Sequence, residues 1–194
     1  MELVDKKSIK LPGVQDFAWC PLGEKDKAPA AAGKKKEERE NCFAFWLPEI
    51  DNQPARVTLM GFPSRNILRS KNLFNVSDCK LHWHDQGDYL CVKVDRHTKT
   101  KKSTFCNLEI FRMREKNYPV EVIELKDAVT AFAWEPKGDR FGFIACSDPN
   151  PGPGVTIKYN VAFYQIDPKK GDFKQLSACS SGSPVPSTFS SVRR

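Results

Sequence analysis

The chain has 194 residues, 40 % hydrophobic and 28 % charged, a balance that disfavours wholesale disorder and suits one large domain or two small ones. Thirty-one basic residues against 24 acidic ones leave a net charge of +7, which favours an anionic partner without identifying it. No apolar run reaches the roughly 20 residues of a membrane helix, and the lysine-bearing first ten residues hold no apolar stretch of the kind a secretory signal needs.

Residues 14–19 carry apolar side chains at nearly every second position, which predicts a half-buried strand. Trp19-Cys20-Pro21-Leu22-Gly23-Glu24 follows, a turn-forming run of the pattern W-x-x-x-G-acid. Residues 25–40 are poor in bulky apolar side chains and rich in charge, which predicts an inserted solvated loop. Strands are then predicted at 42–47, 56–60 and 66–73. The same order recurs with a strand at 79–83, the turn Trp83-His84-Asp85-Gln86-Gly87-Asp88, and strands at 89–94, 108–113 and 120–125. It recurs again with a strand at 129–134, the turn Trp134-Glu135-Pro136-Lys137-Gly138-Asp139, and strands at 141–146, 161–166 and 173–176. Residues 148–154 form a stiff turn-rich run. It is not a phosphate loop, because neither a Lys-Ser/Thr pair nor a helix follows it. Residues 178–194 are serine-rich and expected to be disordered.

Three of the four tryptophans occupy one slot, at spacings of 64 and 51 residues. Four strands per unit, at roughly 50 residues per unit, is the pattern of a β-propeller blade. The expected fold is all-β: a partial β-propeller of about three four-stranded WD-like blades within residues 1–177. The blades fall at about 14–73, 77–125 and 128–177. Trp19, Trp83 and Trp134 are expected to fill the layers between neighbouring blades, since one sheet cannot bury both its faces alone. A β-sandwich is the rival architecture, but it does not require the same motif at the same place in three successive units. Three blades are fewer than the roughly four to eight of a closed propeller. The chain therefore reads as a fragment of a longer propeller, or as a truncated or spliced product.

Seven cysteines, with no C-x-x-C pair, argue against a disulfide scaffold and fit a reducing compartment. Cys79, His82, His84 and Cys91 cluster in sequence, but their spacing matches no common zinc motif, so no metal is assigned. Cys91 with His97 is a conceivable nucleophile pair. Cys91, however, lies inside an apolar strand where a thiol is inert, and no catalytic residue or cofactor is expected. The basic charge is concentrated: residues 56–116 hold 13 lysines and arginines against 6 acids, and the rest of the chain is balanced. Within that span Arg96, Lys99, Lys101 and Lys102 sit on a run expected to be a projecting hairpin, suited to salt-sensitive, sequence-blind phosphate contacts. Arg112, Arg114 and Lys116 close a strand and are expected to extend the same patch.

Several strings are specific enough to carry a family resemblance. Pro54-Ala55-Arg56-Val57-Thr58-Leu59-Met60, Asp78-Cys79-Lys80-Leu81-His82-Trp83, Phe111-Arg112-Met113-Arg114-Glu115-Lys116 and Ala131-Phe132-Ala133-Trp134-Glu135-Pro136 resemble the B subunit of eukaryotic translation initiation factor 3. The match runs with few gaps from about residue 5 to residue 164. The resemblance implies a cytoplasmic scaffold rather than an enzyme. It also implies partners among the other initiation factor 3 subunits and the small ribosomal subunit, its rRNA and proteins, and no membrane or small-molecule substrate. Family members combine an RNA-recognition module, a nine-bladed propeller and a helical tail; this sequence matches about a third of the propeller and neither of the other parts. A WD-type interaction module outside translation and a non-functional truncated product are the alternative readings.

Overall fold

The structure is a computed structural model that describes residues 9–27, 40–97, 104–147 and 159–180. Twelve strands fall into three four-stranded antiparallel sheets. The first sheet orders β1 (Asp16–Trp19), β2 (Asn41–Leu47), β3 (Ala55–Phe62) and β4 (Ile67–Leu73) as neighbours. The second orders β5 (Val76–Trp83), β6 (Tyr89–His97), β7 (Thr104–Arg112) and β8 (Val120–Leu125). The third orders β9 (Ala128–Trp134), β10 (Arg140–Cys146), β11 (Tyr159–Ile166) and β12 (Phe173–Ser180). Each sheet is a meander in which sequence neighbours pair, as in a propeller blade. The α-helix among the described residues is a single turn, α1 (Glu24–Lys27).

Period-2 alternation divides the side chains between two layers. In β2, Cys42, Ala44 and Trp46 join one buried cluster while Phe43 and Phe45 join another on the opposite face. In β6, Leu90, Val92 and Val94 pack towards the first sheet, and Tyr89 and Cys91 towards the third. Two layers therefore sit between three sheets, and the middle sheet is covered on both sides.

The W-x-x-x-G runs are the turns between the first two strands of the second and third sheets. His84 N–H donates to Tyr89 O at 2.9 Å, and Glu135 N–H donates to Arg140 O at 2.9 Å, the same bond one repeat later. The glycine has different reasons in different copies. Gly87 holds φ +63°, a left-handed conformation that favours glycine. Gly23 instead lies where a Cβ would come within 2.5 Å of the Gln86 carbonyl oxygen, so it permits the first turn to touch the second.

Several strands outrun their predicted limits, β3, β5, β6 and β7 among them, and so does the last. β12 continues past Leu176 to Ser180, with Ser177, Ala178 and Cys179 opposite Phe163, Ala162 and Val161. The start of the expected serine-rich tail is thus a strand, because backbone pairing does not need apolar side chains. The rest of that tail, residues 181–194, most of the inserted loop, residues 28–39, and the turn-rich run at 148–154 lie outside the described residues.

Candidate interaction surface

The motif tryptophans link consecutive sheets by a repeated hydrogen bond. Trp83 Nε1–H donates to Ala18 O at 3.0 Å, and Trp134 Nε1–H donates to His82 O at 2.9 Å. Each acceptor is the residue just before the preceding sheet's own tryptophan. The indole thereby satisfies its donor inside an apolar layer, where an unpaired N–H would be costly. Trp19 has no preceding sheet among the described residues and is 50 % exposed.

The two histidines complete the second layer. His84 is fully buried rather than at an edge or in an open loop, and its Nε2–H donates to Glu135 O at 2.9 Å. The His82 ring lies 5.2 Å from Phe132, and burial is the first cause that pulls its pKa below the usual 6.5. No group of three His, Cys, Asp or Glu among the described residues could hold a metal ion. Cys91 is fully buried, and burial pushes its thiol pKa well up. Cys91 and His97 are six residues apart on one strand, about 20 Å, too far to act as a pair.

On the turn side, ion pairs connect all three sheets. Arg114 reaches Asp26 Oδ1 at 2.6 Å and Asp26 Oδ2 at 2.8 Å, Asp88 at 2.5 Å, and the Gln86 carbonyl at 2.9 Å. The hydrogen bonds Arg114 donates to Asp26 lead the effects that raise its pKa. Glu24 N–H donates to Gln86 Oε1 at 2.8 Å, and Lys137 Nζ pairs with Glu24 at 2.6 Å, joining the first sheet's turn to the third sheet's. Away from the turns, the buried Glu109 carboxylate lies 2.9 Å from Arg96 and 3.0 Å from Lys71 of β4.

These pairings redraw the expected basic patch. Arg112 is buried and paired with Glu115 at 2.6 Å and Glu121 at 3.2 Å. Arg114 holds the turns together, and Arg96 binds Glu109 and the Phe74 carbonyl. Arg112 and Arg96 also lie towards opposite ends of the β6–β7 ladder, where Arg112 faces Tyr89 and Arg96 faces Phe105, about 23 Å apart. Lys116 is exposed, as are Arg65, Arg69 and Lys80. Lys99, Lys101 and Lys102 lie outside the described residues. What the sequence reading missed is that its candidate arginines are matched to acids: Arg112 to the nearby Glu115 and Glu121, Arg96 to Glu109, and Arg114 to Asp26, 88 residues away, of which the neighbouring Glu115 gave no hint.

The fold and this stacked arrangement define the class: a run of WD-type β-propeller blades, three sheets linked by a repeated indole and knit by ion pairs at the turns. The family profile described as "Eukaryotic translation initiation factor eIF2A" matches residues 71–166. The B subunit of eukaryotic translation initiation factor 3 from Mycosarcoma maydis is 66 % identical over 180 residues, 91 % of this chain and 24 % of that protein. The protein of the same name from Schizosaccharomyces pombe is 58 % identical over 170 residues, 88 % of this chain and 22 % of its own length. The chain belongs to the family of eukaryotic translation initiation factor 3 B subunits, and it spans about a quarter of the length of the curated relatives it matches. A solved structure titled "Crystal structure of the eukaryotic initiation factor" aligns with 89 % of the chain and 45 % of its own at 14 % identity and a TM-score of 0.37, too low to bear on the fold.

Proposed function

We propose that the chain works in the cytoplasm as a non-enzymatic scaffold segment of initiation factor 3, supporting mRNA recruitment and scanning on the small ribosomal subunit. It does so by docking other subunits and ribosomal proteins on its sheets and rims, and by contacting rRNA phosphates through Lys99, Lys101 and Lys102, while Arg96 is held by Glu109. The observation that carries the reading is the 66 % identity to the fungal B subunit across nine-tenths of the chain. The charge distribution supports the rRNA part, since the whole surplus of +7 falls within residues 56–116. Arg112 serves this scaffold from within its own blade, and Arg114 by tying the first blade to the second.

Sucrose-gradient sedimentation of native lysate, blotted with an antibody to residues 120–127, tests the reading. The expected band travels with small ribosomal subunits and leaves them at high salt. The triple variant Lys99→Glu, Lys101→Glu, Lys102→Glu is expected to weaken that association and to lower its salt slope by about 2–3. A band confined to the lightest fractions overturns the scaffold reading. A triple variant that sediments like the wild type overturns the rRNA contact alone.

A further inference from the structure

The turn side of the stack holds two grooves of the same make, one between the first and second sheets and one between the second and third. Arg114 fills the first: it reaches both oxygens of Asp26, the Asp88 carboxylate and the Gln86 carbonyl. Backbone bonds fix what corresponds to it one repeat later. Met113 N–H donates to Asp88 O at 2.9 Å, and Ile166 N–H donates to Asp139 O at 2.9 Å. Arg114 follows Met113 and Asp167 follows Ile166, so the third sheet carries an acid where the second carries its arginine. By the same count Asp139 corresponds to Asp88, and the Lys137 carbonyl to that of Gln86.

Asp167 turns its carboxylate to its own turn, where it accepts the N–H groups of Lys169 at 2.8 Å and Lys170 at 3.2 Å. The second groove is an open hollow of about 320 Å³ walled by Glu24, Asp88, Tyr89, Lys137, Asp139 and Pro168. Its acids have unequal partners. Asp88 is held by Arg114, and Glu24 by Lys137 at 2.6 Å. Asp139 meets an amide instead, Gln165 Nε2, at 3.2 and 3.3 Å, long for bonds to a charged acceptor. Among the described residues no cation matches its charge.

We propose that this groove is a docking seat for an arginine side chain of a partner protein, held as Arg114 is held in the neighbouring groove. The guanidinium pairs with Asp139 and donates to the Lys137 carbonyl. Arginine rather than lysine is the occupant because Arg114 spreads its N–H fork over two carboxylates and a carbonyl at once, which a compact ammonium does not match. The Lys137 side chain, 70 % exposed, spans from the third sheet's turn to Glu24 and is the competing cation. This seat is independent of any rRNA contact.

Titration of the full 194-residue chain with N-acetyl-arginine amide, followed by backbone amide NMR shifts, tests the seat. Saturable shifts are expected at Gly138 and Asp139. The citrulline analogue, close in shape but uncharged, is expected to produce none. Asp139→Asn is expected to weaken binding about tenfold, and its unchanged shifts elsewhere show it to be folded. Lys137→Ala is expected to tighten binding about twofold by removing the competing cation. The absence of saturable shifts overturns the proposal, as does binding unaffected by Asp139→Asn or equal affinity for N-acetyl-lysine amide. In native initiation complexes, photoreactive benzoylphenylalanine in place of Lys137 is expected to crosslink to a partner-protein peptide beside an arginine, and Asp139→Asn is expected to remove most of that product. Crosslinks confined to RNA or to residues 28–39 of this chain, or a product indifferent to Asp139→Asn, overturn the partner's role.

Discussion

The middle sheet and the two end sheets are built on one pattern and reach different environments. In β6, Leu90, Cys91, Val92 and Val94 are all 0 % exposed, and both faces of the strand are sealed. In the end sheets the corresponding faces stay partly open, with Trp19 50 % and Leu176 40 % exposed. The difference shows that burial in this fold comes from having a neighbour on each side rather than from strand composition. A Trp-x-x-x-Gly blade supplies half of two interfaces, and only the middle one finds both partners among the described residues.

Substitutions matched across that contrast should separate the two environments in urea unfolding. The largest expected effect is at the sealed position: Leu90→Ala lowers stability by about 3 kcal/mol through lost burial and a cavity. The same change at Leu176 stays within about 0.5 kcal/mol. Equal losses at the two sites would remove the contrast. Glu109→Ala comes next, at about 2 kcal/mol, because it leaves Lys71 and Arg96 without their carboxylate between the first two sheets. The loss is smaller than for a sealed pair because both cations keep some contact with water.

The indoles refine the comparison. Trp83→Phe keeps an apolar ring but removes the bond to Ala18, with an expected loss of about 1 kcal/mol. Trp19→Phe, at the open face, stays within about 0.5 kcal/mol.

The smallest effect is the pH dependence of the second layer. His82 binds its proton more weakly in the folded chain than in the unfolded one, with burial the first cause and Lys93 and Lys80 the next. Its contribution is therefore complete above the unfolded pKa of 6.5 and is lost as pH falls below that value towards the folded pKa. Melting temperatures taken from about pH 7.5 to pH 5.5 should fall on the acid side, and His82→Gln should flatten that fall. An unchanged acid limb in the variant would place the proton uptake elsewhere.

Much of the fold is legible in the sequence because it rests on short-range pattern. Alternation at residues 42–47 and the turn formers of the three W-x-x-x-G runs announce strands and hairpins within a few residues of their observed limits. β12 outruns its apolar pattern because Ser177 to Ser180 pair through the backbone, which leaves no mark in hydropathy. The candidate surface is less legible. Arg112 and Arg114 look like phosphate ligands in sequence, and each is matched to carboxylates in the folded chain. His84 looks like a loop residue and is sealed beneath the third sheet's turn.

By itself the sequence determined the unit: four strands, a tryptophan at a set place and a turn after it, because strand alternation and turn geometry are properties of neighbouring residues. Only the tertiary structure decided which cations remain in solvent, which tryptophans find an acceptor and which face of each sheet is covered. Those outcomes depend on groups brought together from as far apart as Glu24 and Lys137, 113 residues along the chain, and electrostatics and burial act through space rather than along the backbone.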